Sequence, residues 1–226
     1  MQYTHHTRFL VGCLLALILL PWLFHTTDSS YLVSTFTRLI IFAIAAVSLD
    51  LLIGYTGLVS FGHAAFLGVG AYTVGILSFH AYEETTFLGL PGTLSGLTAI
   101  PLAVLLSALV ALIIGALSLR TKGVYFIMIT LSFGQMLFFL FVSLEQYGGD
   151  DGMMMFDGRN TLPGLDLNDR VEFYYFCLTW FTLFFFFCAR LVRSKFGRTL
   201  AAIRQNEDRL SSIGINEYWA KLQIFV

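Results

Sequence analysis

Long apolar blocks, each close to the length of a bilayer crossing, constrain this chain more than any other feature. About 20 mostly apolar residues, at ~1.5 Å of rise each, cross ~30 Å of hydrocarbon. Blocks near 9–25, 31–54, 63–80, 96–118, 123–144 and 171–192 meet that length, and a further one begins near Trp219 and runs to Val226. A soluble core in a chain of 226 residues could not bury them all. Hydrocarbon offers no water to backbone polar groups, so each segment must pair them internally, and helices are the expected form. The expected fold class is therefore all-α, a polytopic transmembrane helical bundle of about six spans and the start of a seventh. Composition agrees: 57% of residues are hydrophobic and 12% charged, against a charged share of about 25% in soluble domains.

Arg8 followed by the apolar run 9–24 is similar to a signal sequence, but no small-residue cleavage site follows, and a retained first helix is expected. Asp28, Ser29 and Ser30 are candidate caps for the second helix, and Asn168 or Asp169 for the sixth. Pro101 falls in the first turns of the fourth, where its missing N–H costs least. The three cysteines, Cys13, Cys177 and Cys188, lie in apolar stretches without metal-ligand spacing and read as buried small hydrophobes.

Charge is segregated although the net charge is only −1. A cytoplasmic N-terminus puts Arg8, Arg120, Lys122, Arg190, Arg193, Lys195, Arg198, Arg204, Arg209 and Lys221 inside. Of the thirteen basic residues only Arg38, Arg159 and Arg170 fall elsewhere, while the outer loops carry Asp28, Glu83, Glu84, Glu145, Asp150, Asp151, Asp157, Asp166, Asp169 and Glu172. The positive-inside rule selects this orientation. There is no basic field for nucleic acid.

Four stretches carry more than hydropathy. In LDLLIGYTGLVSFGHAAFLGVGAYTVGIL (49–77) the glycines, with Tyr55, Thr56, Ser60 and His63, suit either a broken helix lining a pathway or a tight turn before a closely packed helix. Ala64/Gly68 and Ala71/Gly75 have small-x-x-x-small spacing for close helix contact. Asp50 and His63 are ionisable groups beside the spans, serving either a pathway or local hydrogen bonding. The inner segment 193–216 is expected to form one amphipathic helix, about 198–213, with Leu200, Ile203, Leu210 and Ile213 on one arc, an Arg204/Asp208 pair on the other side and Gly214 as cap. Tyr147-Gly-Gly-Asp-Asp-Gly152 reads as an outer turn and lacks the spacing of a calcium loop. No P-loop, H-E-x-x-H or G-x-S-x-G motif occurs, so no ATP site, cofactor, metal or enzymatic activity is expected in this chain.

Three ordered blocks, LLIGYTGLVSFGHAAFLGVGAYT (51–73), RTKGVYFIMITLSFGQMLFFL (120–140) and RSKFGRTLAAIRQNEDRLSSIGIN (193–216), resemble the M-type permeases of branched-chain amino acid ABC importers, a prokaryotic family that also includes urea and amide permeases. The resemblance extends over most of 49–226. It implies one permease domain over 1–226 in the inner membrane, paired with a second permease subunit, two ATP-binding cassette subunits and a periplasmic substrate-binding protein. It further implies that 193–218 is the ATPase-coupling loop, with Gly197, Ala201, Ala202, Arg204, Asn206, Glu207 and Gly214 at the motif positions. Candidate pathway residues are Asp50, Tyr55, Thr56, Ser60, His63 and Gln135. Asp50 stands where the family usually has Asn, and the chain is expected to be incomplete at its C-terminus. An ion-coupled transporter, with Asp50 as its proton carrier, and an inactive permease or membrane scaffold remain as alternatives.

Overall fold

Side chains cap the helices that begin at Arg170, Lys195 and Glu217, and the computed structural model describes residues 12–23, 30–87, 90–153, 158–212 and 214–226. The fold is all-helical apart from a hairpin of two-residue strands, β1 Thr86–Phe87 and β2 Leu90–Pro91. The helices are α1 Gly12–Leu23, α2 Ser30–Asp50, α3 Ala64–Tyr82, α4 Gly96–Ser118, α5 Val124–Val142, α6 Arg170–Arg193, α7 Lys195–Gln205, α8 Glu207–Ser212 and α9 Glu217–Phe225. Five segments are long and apolar enough to cross a membrane: Tyr31–Thr56, Ala64–Tyr82, Gly96–Ser118, Val124–Val142 and Arg170–Arg193. They match five of the six expected spans. The described part of the first, α1, is shorter than a crossing, and its expected ends lie outside the described residues. The same holds for Asp28 and Ser29 as caps. At α6 the cap is Asp169, whose carboxylate accepts from the Glu172 N–H at 3.1 Å.

Two apolar cores divide the bundle. One joins α1, α2 and α6 through Val33, Ile40, Tyr174, Cys177 and Leu178. Its contact with α1 is chemically specific. Pro21 has no N–H for the carbonyl four residues earlier, and the Tyr174 hydroxyl donates to that Leu17 carbonyl at 2.7 Å. Tyr175 donates to the next carbonyl, Ile18, at 3.2 Å. A helix carrying a proline in an apolar medium is thus repaired by its neighbour. The second core joins α3, α4, α5 and α9 through Val69, Ile114, Phe126, Leu137 and Phe225.

Three sequence expectations are corrected. Cys13 is exposed on α1, while Cys177 and Cys188 are buried as expected. Of the two small-residue pairs, Ala64 and Ala71 are exposed and Gly68 meets open space, while Gly75 meets the Met153 side chain and no helix; α3 meets α4 at Gly70 instead, beside the Ser107 hydroxyl. The inner amphipathic segment is two helices, α7 and α8, broken at an extended Asn206 (φ −164°).

The described parts of loops 83–95 and 143–169 lie together at one end of the bundle, joined by the Thr161 N–H to the Leu94 carbonyl at 2.8 Å, and His80 Nε2 of α3 lies 2.9 Å from the Tyr147 hydroxyl. Met153 reaches down from this end against Gly75 of α3. Segment 57–63, the 119–123 turn and α7–α9 gather at the other end.

Candidate functional site

The basic end of the bundle is organised by how α2 stops. After Asp50 the chain widens into a π-helical turn, Leu51–Thr56, closed by Gly57 in the left-handed region (φ 74°). That conformation favours glycine because it has no Cβ to collide with the backbone. The turn leaves the Gly54 carbonyl open, and Arg204 Nη1 of α7 donates to it. The Arg204 stem lies over Gly57, with Cγ 3.4 Å from where a Cβ would stand.

The α6–α7 junction brings Arg204 there. Ser194 caps α7, its hydroxyl oxygen accepting from the Gly197 N–H at 3.3 Å. Gly197 is pressed against the end of α6: a Cβ on it would lie 2.2 Å from the Val192 carbonyl oxygen. The bend turns the apolar arc of α7 inward, burying Leu200 and Ile203 completely, with Leu210 of α8 and Ala220 of α9, against Tyr55 and Leu191. Ala201 and Ala202 are half-buried on this helix. The arc is as expected for its described members; the Ile213 side chain lies outside the described residues.

Across the break at Asn206 an ion cluster holds α8. Glu207 meets Lys122 of the α4–α5 turn at 2.7 Å and Lys221 of α9 at 2.6 Å. Glu217 lies 3.6 Å from Lys122 and 3.9 Å from Lys221. Partial burial alone would raise the Glu207 carboxyl, but hydrogen bonds from both lysines and their charges outweigh it and bring it down to about 2. The same contact, led by the hydrogen bond to Glu207, raises Lys122 above the ordinary lysine value. Arg204 donates to the π turn; the Asp208 side chain, its expected partner, lies outside the described residues. Asn216 caps α9, accepting from the Tyr218 and Trp219 N–H groups at 3.1 and 3.4 Å. Gly214, at φ 84°, makes the left-handed turn between α8 and α9.

The candidate pathway residues do not converge on one point. Tyr55 packs on α7, and the Thr56 hydroxyl donates to the Leu52 carbonyl of its own turn. His63 Nε2 is 2.8 Å from the Ser48 hydroxyl, tying the start of α3 to α2. Its Nδ1 and the buried Ser60 hydroxyl have no partner among the described residues. Asp50 is exposed at the last turn of α2, its carboxylate over Gly54. Gln135 lies in a separate cleft of about 340 Å³ between α3 and α5, with Phe61, Ala65, Gly68, Tyr72 and Phe138. Segment 57–63 closes the cleft by backbone contact: a Cβ on Gly62 would lie 2.1 Å from the Thr130 carbonyl oxygen.

Sequence reasoning missed Lys122, Lys221, Glu217 and Ser48. Lys221 carried a usable signal, being a lone cation inside an apolar stretch, which demands a partner.

The family described as the permease component of branched-chain amino acid transport systems matches residues 31–226. The high-affinity branched-chain amino acid transport system permease protein LivM of Salmonella typhimurium is 30% identical over 93% of this chain and 52% of its own length. The protein of that name from Escherichia coli is 29% identical over 94% of this chain and 53% of its own. The chain spans about half the length of these curated relatives. No solved structure matches it.

Proposed function

Since the chain belongs to the permease-component family of branched-chain amino acid transport systems, we propose that it is a transmembrane subunit of an ATP-driven importer for branched-chain amino acids or related small polar amides. In this reading 1–226 is one permease domain of the inner membrane, its N-terminus cytoplasmic. It works with a second permease subunit, two ATP-binding cassette subunits that hydrolyse the ATP, and a periplasmic binding protein. The basic end, with Arg120, Arg190, Arg193 and Arg198, faces the cytoplasm, in keeping with the positive-inside rule.

The observation that carries the reading is the docking of α7–α8. One face is buried through Leu200, Ile203 and Leu210, while Arg198 and Gln205 remain exposed. Residues 193–218 are then the coupling loop: Gly197 and Gly214 shape it, Ala201 and Ala202 keep it thin, Asn206 makes its break, and Arg204 and Glu207 fasten it to the bundle. An ATPase closing against the exposed face would push on a segment fixed to both α2 and the α4–α5 turn, tipping helix groups between outward- and inward-facing states. Asp50, the carrier that the proton-coupled alternative names, lies exposed at a helix end.

The test has two arms. With the native cysteines replaced, Gln205→Cys treated with a bifunctional maleimide in inverted membranes is expected to crosslink to an ATP-binding subunit. A deletion strain is expected to lose uptake of labelled leucine, urea or a short amide. Crosslinking to no ATPase, together with unchanged uptake of all three solutes, would overturn the reading.

A further inference from the structure

The α6–α7 corner carries a second feature, at the end of α6. Arg190 and Arg193 end α6 beside an open cleft of about 580 Å³, shared with Phe186, Ala189 and Ser194. Neither guanidinium has an acidic partner among the described residues, in contrast to Lys122 and Lys221 at the same end. The Ser194 hydroxyl is already committed to the Leu191 carbonyl and the Gly197 N–H. Two arginines three residues apart on a helix repel each other, although the helix C-terminus favours cations there. A bound anion would relieve that repulsion.

The surface leading to them identifies the anion. Leu183, Phe186 and Phe187 are each 58–60% exposed and lie on the helical stripe that continues to Arg190 and Arg193. From Leu183 to Arg193 the helix rises roughly 15 Å, about half the hydrocarbon thickness of a bilayer. An apolar strip one leaflet deep, ending in a pair of guanidiniums at the interface, matches a lipid with acyl chains below and a phosphate above. Guanidinium is suited to phosphate because its planar fork donates two parallel hydrogen bonds. We infer that Arg190 and Arg193, with the Leu183–Phe187 strip, form a binding site for an anionic phospholipid of the inner leaflet. The inference rests on the chain spanning the membrane with its basic end inward, as proposed above, and not on its being an importer.

The test uses the purified full chain in detergent, with lipid adducts counted by native mass spectrometry. Phosphatidylglycerol and phosphatidylcholine of identical chains are added at equal mole fraction. Wild type is expected to retain phosphatidylglycerol selectively. Each basic residue near an anionic lipid contributes roughly fivefold in affinity, so R190Q or R193Q is expected to weaken retention about fivefold and the double variant about 30-fold. R190K/R193K should retain part of the selectivity, and R120Q all of it. Inorganic phosphate at millimolar concentration should not displace the lipid. Equal retention of both lipids, full retention by R190Q/R193Q, or displacement by phosphate would each overturn the site. So would a photo-crosslinker at Phe187 that captures protein and no lipid in native membranes.

Discussion

Replacing Glu207 by glutamine removes one carboxylate from two lysines of unequal burial. The Lys122 side chain is 67% exposed and that of Lys221 6%. An exposed ion pair contributes about 0–1 kcal/mol, whereas stranding one member of a buried pair costs about 3–5 kcal/mol. The depression of Glu207 from 4.5 to about 2, at about 1.4 kcal/mol per unit, bounds the effect at about 3–4 kcal/mol. Glu217 remains 3.9 Å from Lys221 and takes up part of the stranded charge. The expected loss for E207Q is therefore about 2 kcal/mol. Most of it should appear as coupling to Lys221 and little of it as coupling to Lys122. Equilibrium unfolding in mixed detergent micelles near neutral pH, applied to E207Q, K122Q, K221M and the two double variants, measures both couplings. Because the folded carboxyl is depressed, its contribution is fully present above about 4.5 and is lost as pH falls through about 2. Stability from this cluster should thus stay level from neutral to mildly acidic pH. Equal couplings to the two lysines, or an E207Q variant as stable as wild type, would refute the reasoning.

Gly62→Ala places a Cβ 2.1 Å from the Thr130 carbonyl oxygen, and forcing 57–63 away from α5 should cost about 1–3 kcal/mol; Gly68→Ala, which meets open space, should leave thermal unfolding within about 0.5 kcal/mol of wild type. Leu200→Ala empties a fully buried position under α7. A loss of about 2–5 kcal/mol is expected, together with faster proteolysis between α6 and α9, and unchanged cleavage there would count against the docking described.

Hydropathy placed the spans well because a bilayer imposes one length and one composition, and Tyr31–Thr56, Gly96–Ser118 and Arg170–Arg193 lie within a few residues of their expected bounds. Caps with a local mechanism, such as Asp169 and Gly214, were equally visible. What escaped was set by long-range partners. The break at Asn206 has no proline or glycine to announce it, and Glu207 is drawn to Lys122 and Lys221, from parts of the chain remote in sequence. The π turn was visible only as a glycine-rich stretch, since its geometry depends on which cores Leu52 and Tyr55 enter. The pathway candidates were chosen as polar residues near spans, and several, such as Thr56, prove to satisfy local carbonyls.

The π turn is also where the bundle's parts meet. Val33 and Ile40 commit most of α2 to the core shared with α1 and α6. Leu52, 1% exposed, enters the core of α3, α4, α5 and α9. Tyr55, three residues later, enters the cluster under α7. A regular α-helix rotates by about 100° per residue and keeps one stripe toward one neighbour; a wider turn alters that rotation, and such π-bulges recur at functional sites. Arg204 is bound to this turn, while Glu207, beyond the break, is bound to the α4–α5 turn and α9. A displacement of α7 and α8 is therefore delivered to both cores at once, through a hydrogen bond on one side and an ion cluster on the other. In the proposed importer, cutting either link alone should leave the other core still following, so ATP-driven uptake should fall further in the combined Arg204 and Glu207 variant than the separate losses of helix stability require.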